Sequence, residues 1–304
     1  MKKLNGVVIP LVTPLTEDDK IDVESLKRLV DHCINNGMTC LYPNGTTGEM
    51  MYLTVDERKL VAEVVVEYTN GRVPVFVHIG AWNQADTIEL AKHAVNIGAD
   101  GIGVVTPTFY KLSDEGLFNY YRAISEAVPS DFPIYLYSIP QNAINDISPA
   151  LAARIAEACP NVVGIKYSFP DMTKIQNFIP ITTKSNEPFS VLVGPDHLFA
   201  ATCAIGGNGT VSGNAMCIPE HYAEIWKAVQ EKNYEKASKI QQRTNILNSV
   251  LCAINNIAAY KVVLKNEGVL ATTKMRRPYE NLSDMETKAL LFKLHELNYR
   301  KVII

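Results

Sequence analysis

The chain has 304 residues, of which 47% are hydrophobic and 20% charged, a composition that supports a sizeable buried core and excludes disorder as its main description. Twenty-nine Lys and Arg against 32 Asp and Glu give a formal net charge of -3, without the basic bias of a nucleic-acid-binding surface. No stretch approaches the ~18 uninterrupted apolar residues of a membrane span, and the start MKKLNGVVIP has too short an apolar run for a secretory signal. The expectation is a cytoplasmic protein with neither nucleic acid nor membrane as partner.

Short apolar runs rich in Val, Ile and Tyr alternate with longer segments of helical period. In chain order, a strand is predicted over 6–11 and a helix over 23–36, then 39–42 with 54–68, 73–79 with 84–97, and 101–105 with 114–127. The second half repeats the pattern: 133–138 with 148–158, 162–166 with 171–179, 190–194 with 197–205, and 209–212 with 218–231. Helix starts are marked by Asp22, by Thr54 with Glu57 three residues on, and by Ser148 followed by Pro149. Gly37 and Gly98 stand where helix C-caps are expected.

Eight strands each followed by a helix predict an α/β fold, a closed (β/α)8 TIM barrel. The rival is a doubly wound open sheet, which usually carries a Gly-rich turn after its first strand; here Pro10-Leu11-Val12-Thr13-Pro14 occupies that place. Beyond 232 the strand signal stops, and helices are predicted near 234–256, 258–267 and 284–297. With no Gly/Ser linker between them, the reading is a catalytic barrel over 1–232 and a C-terminal helical region over 233–304 packed on it.

The six cysteines, Cys33, Cys40, Cys159, Cys203, Cys217 and Cys252, form no C-x-x-C pair, which favours buried reduced thiols. The histidines show no zinc-binding spacing, so no metal is expected.

Barrel enzymes keep their chemistry at the C-terminal ends of the strands, and three ends stand out. The sixth strand ends Val162-Val163-Gly164-Ile165-Lys166. Strict alternation sets Val162, Gly164 and Lys166 on one face, with Gly164 leaving space beneath the ammonium, and Val163 and Ile165 toward the helices. A desolvated lysine amine can attack a carbonyl and form a Schiff base; the alternative is a lysine leaving a strand for solvent. The fifth strand places Tyr135 and Tyr137 on one face, where a phenol can relay protons or simply pack as a strand aromatic. The second strand runs into Gly45-Thr46-Thr47-Gly48-Glu49, a turn whose N–H groups can converge on a carboxylate, or an ordinary structural turn. Together, an amine, a phenol and a carboxylate cradle are what a Schiff-base reaction on a 2-oxo acid requires.

The Gly45–Glu49 turn, Tyr137-x-x-Pro140 and Gly164-Ile165-Lys166, in this order and spacing, resemble the dihydrodipicolinate synthase and N-acetylneuraminate lyase family. The resemblance spans essentially the whole chain: Pro10–Pro14 looks like the family's first strand, Gly206-Gly207-Asn208-Gly209 leads into its eighth, and Lys261, Gly268 and Arg277-Pro278 look like its helical tail. It implies a pyruvate-dependent class I aldolase without metal or organic cofactor, assembled as a homotetramer, a dimer of dimers. By the same likeness Lys166 forms the imine with pyruvate, Tyr137 moves protons, and Gly45, Thr46 and Thr47 hold the keto-acid carboxylate, with the Thr47 hydroxyl in the relay. Val211 and Ser212 fall among the substrate-binding positions.

The chain departs from both named branches. Where the synthase branch has an arginine for aspartate semialdehyde, Asn142 stands, which lacks the bidentate fork for a carboxylate. Phe109 aligns with the tyrosine that a neighbouring subunit contributes to the relay, and Tyr110 is one residue away. The lyase branch's Asp-Glu pair reads Asp196-His197, and its serine position falls on Gly213, one after Ser212. Asn142, Asp196 and His197 are therefore expected to contact the variable part of the substrate, although Asp196 can alternatively serve as a helix N-cap. The expected activity is cleavage or condensation of a 2-oxo acid, of the sugar-acid kind, from pyruvate and an aldehyde. The alternatives are 4-hydroxy-tetrahydrodipicolinate synthase and a keto-acid-binding protein without turnover.

Overall fold

The computed structural model describes residues 1–302. Its strands are β1 (Gly6–Pro10), β2 (Cys40–Tyr42), β3 (Phe76–His78), β4 (Gly101–Val105), β5 (Ile134–Ser138), β6 (Val162–Tyr167), β7 (Ser190–Val193) and β8 (Gly209–Val211). All neighbours run parallel, and β8 lies beside β1. The remaining seam, between β2 and β3, is bridged at Leu41 and Val75: Leu41 donates its N–H to the Pro74 carbonyl at 3.0 Å, and His78 donates to that of Pro43 at 3.0 Å. An open sheet would leave two strand edges unpaired; this one closes, so the architecture is the (β/α)8 barrel.

The helices begin where the sequence supplies caps. Asp22 accepts from the Ser25 N–H, Thr54 and Glu57 form a reciprocal capping box, and Ser148 accepts from Leu151 ahead of the helix opened by Pro149. Gly37 and Gly98 adopt φ of +80° and +76°, the left-handed conformation that ends a helix without a Cβ penalty. Three predicted spans differ. β3 is shorter than 73–79, because Pro74 has no N–H for the ladder. The 197–205 segment is a 3₁₀ turn, Asp196–Leu198, running into a helix, Phe199–Ala204. The 234–256 helix stops at Leu251, and Asn255 caps a new one, Asn256–Asn266, at 101° to the first. A short helix at Pro140–Ala143 was not expected.

Leu4, Val8, Cys40, Tyr42, Phe76, Tyr135, Val163, Leu192 and Val211 fill the barrel. A larger apolar layer separates barrel from helices and takes in Val7, Ile9, Leu41, Ile102, Leu136, Val162 and Ile165. Leu4 closes the N-terminal end, donating its N–H to the Tyr135 hydroxyl at 2.7 Å and accepting from Ser190 Oγ at 3.0 Å. In β6 strict alternation fails: Val163 belongs to the interior, while Val162 joins Ile165 in the outer layer. The cause is an irregularity opposite Ile134 and Tyr135, where the pairing skips one residue of β6. The space left by Gly164 is filled by Tyr135, whose Cε1 would lie 2.4 Å from an added Cβ, so it is not a void beneath the ammonium.

The helices Tyr234–Leu251, Asn256–Asn266 and Asp284–Glu296 follow the barrel, and Ile240, Leu247, Val263, Leu264 and Leu294 are part of its outer apolar layer. Among the described residues no single helix is long and apolar enough to cross a membrane.

Candidate active site

Tyr137 and Lys166 are register partners on β5 and β6, so both side chains leave the barrel's C-terminal end together. The Lys166 ammonium stands 3.9 Å from the centroid of the Tyr137 ring and 5.7 Å from that of Tyr42, with the residue 7% exposed. Two π faces flank a nitrogen that water scarcely reaches, and such faces attract the positive charge that an imine formed there carries.

The turn after β2 completes the set. Thr46–Gly48 forms one 3₁₀ turn, tied by Gly48 N–H to the Gly45 carbonyl at 3.0 Å and by Thr13 Oγ1 to the Gly48 carbonyl at 2.8 Å. A Cβ on Gly48 would meet the Leu11 carbonyl oxygen at 3.1 Å, which accounts for glycine there. Thr46 Oγ1 lies 3.2 Å from the Tyr137 hydroxyl, and Thr47 is half-buried beside it. Amine, phenol and threonine are thus brought together from β6, β5 and the turn after β2.

A cavity of about 290 Å³ meets this cluster at Thr46, while Lys166 and Tyr137 lie outside its lining; Met50, Val105, Ile139, Asn142 and Ala143 also line it, with Tyr52, Trp82, Phe109 and Tyr279 around them. Asn142 reaches it from the Pro140–Ala143 helix. Phe109 lines the cavity with φ at +75°, strained for an aromatic residue, whereas Tyr110, 73% exposed, does not line it. Asn145 pins this loop, donating from Nδ2 to the Pro107 and Tyr110 carbonyls and accepting from the Leu112 N–H, each at 2.8 Å.

Asp196 and His197 line a second cavity of about 380 Å³, with Gly194, Asn214, Asn245, Asn248, Ser249 and Cys252. Gly194 abuts Ser168, two residues beyond Lys166, whose Oγ an added Cβ would meet at 2.0 Å. Asp196 Oδ2 accepts from Asn214 Nδ2 at 2.7 Å, and Asp196 Oδ1, closed off from solvent although the residue is half-exposed, has no partner. Burial raises the Asp196 carboxyl above its usual range against opposing hydrogen bonds. Asp196 makes no side-chain cap at its 3₁₀ turn. Ser212 Oγ accepts from the Ala215 N–H at 3.1 Å and keeps its O–H to donate, and Val211 packs in the barrel interior.

Sequence reasoning missed four groups around the site. His78 is fully buried, with its ring 5.9 Å from those of Tyr42 and Tyr137. The Val105 N–H donates to His78 Nε2 at 3.2 Å, so the proton sits on Nδ1 and is donated to the Asn44 carbonyl at 3.0 Å. Burial, with Arg58 and Lys166 nearby, holds the imidazole well below its ordinary pKa and neutral. Arg58, buried and donating to the Gly80 and His78 carbonyls at 2.8 and 2.9 Å, is lowered to about 10 by desolvation. Tyr42 enters the barrel because β4 carries Gly103 opposite it, where a Cβ would lie 1.7 Å from the hydroxyl. Glu49 pairs with Lys261 of the C-terminal region. An apolar run surrounds His78, and Glu49 and Lys261 stand in the turn and the tail named above, but nothing along the chain pairs those two.

Among the described residues no group of three or more His, Cys, Asp and Glu is placed to hold a metal ion. Five cysteines are buried and free, and burial raises their thiol pKa. Cys252, expected to be buried, is exposed, because the helix ends just before it.

The model of the dihydrodipicolinate synthetase family matches residues 3–296. A 4-hydroxy-tetrahydrodipicolinate synthase of Acidiphilium cryptum is 37% identical over 257 residues, covering 84% of this chain and 86% of the relative. Among solved structures, YagE, a prophage protein of that family from E. coli K12 in complex with pyruvate, superposes with a TM-score of 0.91 at 27% identity, covering 97% of this chain and 99% of its own. A variant of Sulfolobus solfataricus 2-keto-3-deoxygluconate aldolase gives 0.87 at 26% identity, with 96% of each chain covered. With barrel, strand-end lysine and full-length match in agreement, the chain belongs to the dihydrodipicolinate synthetase family and is a lyase of the class I aldolase kind.

Proposed function

We propose that the protein is a pyruvate-dependent aldolase acting on a 2-oxo acid derived from a sugar. The observation that carries the substrate assignment is the lining of the two cavities, which contains carboxylate, amide, hydroxyl and aromatic groups but neither arginine nor lysine. An aldehyde partner bearing its own carboxylate calls for a fixed cation, and Asn142 lines the cavity without one. A polyhydroxylated chain suits the Asp196, Asn214, Asn245 and Asn248 side, whose carboxylate and amides can exchange hydrogen bonds with substrate hydroxyls.

In this reading the Lys166 amine attacks C2 of the 2-oxo acid, and loss of water from the carbinolamine leaves a protonated imine. Breaking the C3–C4 bond sends its electron pair into the imine, giving an enamine, while Tyr137, left as a phenolate once it has given its proton to the departing carbinolamine hydroxyl, takes the C4 hydroxyl proton and the aldehyde departs. Protonation of the enamine at C3 and hydrolysis of the imine release pyruvate and return the amine. Thr46 and Thr47 hold the carboxylate, and the Thr46–Tyr137 contact at 3.2 Å supports one hydroxyl chain serving binding and proton transfer. The proposal includes a homotetramer; the exposed Phe109 and Tyr110 support a second subunit bordering the cavity.

Borohydride with pyruvate should add a reduced pyruvyl mass on Lys166, absent from Lys166→Ala. Pyruvate release is then screened across 2-oxo-3-deoxy sugar acids and N-acetylneuraminate, beside pyruvate consumption with aspartate semialdehyde. Turnover of aspartate semialdehyde alone establishes the synthase instead, and an adduct without turnover on any substrate establishes a binding protein.

A further inference from the structure

Glu49 directly follows the turn that carries Thr46 and Thr47, and its backbone is left-handed, with φ at +60°. Such a conformation is costly for a residue with a Cβ and persists only where the surroundings over-determine it. Its backbone bonds locally, donating to the Thr46 carbonyl at 3.1 Å and accepting from the Tyr52 N–H at 2.9 Å, but both contacts of its side chain come from the C-terminal region. Glu49 Oε1 pairs with Lys261 Nζ at 2.5 Å, with the two side chains 0% and 1% exposed, and Glu49 Oε2 accepts from the Arg276 N–H at 2.7 Å. Lys261 Nζ also donates to the Lys274 carbonyl at 2.7 Å, which ties the Asn256–Asn266 helix to the segment beyond it.

A buried ion pair is weak evidence of stability, since apolar residues of like volume often serve as well. Its siting suggests another use: one member caps the turn at the pyruvate end of the proposed site and lines the cavity there. We propose that Lys261 is a positioning residue which, through Glu49, holds the Thr46–Thr47 turn in the geometry that binds the keto-acid carboxylate. The C-terminal helical region is then part of the site's scaffold. This inference rests on the reading of Lys166 and the turn given above.

The test compares two ketones in borohydride trapping on the full-length chain: pyruvate, which presents a carboxylate to the turn, and acetone, which does not. Lys261→Met keeps length and removes charge; Glu49→Gln/Lys261→Met removes both charges, so that no lone buried carboxylate threatens the fold. Half-saturating pyruvate is expected to rise roughly tenfold or more in both variants, the scale of losing a charge-assisted contact, with acetone adduct within about twofold of wild type. Unchanged half-saturation for pyruvate, or parallel loss with both ketones as a merely structural role would produce, overturns the inference. Absence of any adduct in the wild-type chain instead overturns the imine reading on which it stands.

Discussion

Replacing Tyr137 by Phe separates the two roles of that side chain. The ring stays, so the face lying 3.9 Å from the Lys166 ammonium is retained, and only the hydroxyl near Thr46 Oγ1 at 3.2 Å is removed. That hydrogen bond is neutral and long, and Thr46 is half-exposed, free to bind water instead. The stability loss should therefore stay within about 1 kcal/mol. For a chain of 304 residues this is ~1.5 °C in Tm on an unfolding entropy of about 2.1 cal/mol/K per residue. Loss of a positioned proton carrier costs far more in rate, about 10²- to 10⁴-fold, or ~3–5 kcal/mol of barrier. Deuterium exchange into the pyruvate methyl group, followed by proton NMR, isolates this step without any aldehyde, because exchange requires the imine to interconvert with its enamine. The expected outcome is exchange slowed by about 100-fold or more, with borohydride adduct still formed on Lys166 and Tm nearly unchanged. Exchange at the wild-type rate in Tyr137→Phe would refute the proton-carrier role.

Gly164→Ala should destabilise the barrel by about 1–3 kcal/mol, since the new methyl would approach Tyr135 Cε1 at 2.4 Å and the Ser190 carbonyl at 2.5 Å; a denaturant midpoint equal to wild type would contradict the interior packing described. Asp196 has its carboxyl pKa raised by burial, so its charge costs folding stability above the ordinary value of 3.8 and nothing well below it. Asp196→Asn should accordingly raise Tm at neutral pH, with the gain fading as the pH falls through the raised folded-state pKa and nearly gone by 3.8, while weakening sugar-acid binding and sparing pyruvate trapping. His78 should keep a neutral ring protonated at Nδ1 in nitrogen-15 NMR, with no titration near 6.5, because burial and two neighbouring cations depress it; a midpoint at 6.5 would place the ring in solvent.

Much of the site could be read along the chain because it is carried by local signals: Lys166 ends an apolar strand, Tyr137 shares a strand face with Tyr135, and two glycines bracket Thr46 and Thr47. The alternation rule failed in β6 because an irregular pairing with β5 reverses which of Val162 and Val163 faces inward, and one strand's sequence contains no trace of its neighbour's register. His78, Arg58 and Tyr42 escaped notice for a related reason: a His or Tyr in an apolar strand, or an Arg among the charged residues of a helix, acquires meaning only from what the closed barrel packs against it.

By itself the sequence determined the alternation of strands and helices, the caps that start and stop them, and the chemical identity of the strand-end residues, since each depends on neighbours a few positions away. Tertiary structure alone decided that Lys166 lies between two aromatic rings, and that Asp196 and His197 open on a different cavity from Asn142. It likewise decided that Glu49 is met by Lys261, 212 residues further along the chain. Those are contacts between segments far apart in sequence, and only closing the barrel and docking the C-terminal helices brings them within reach.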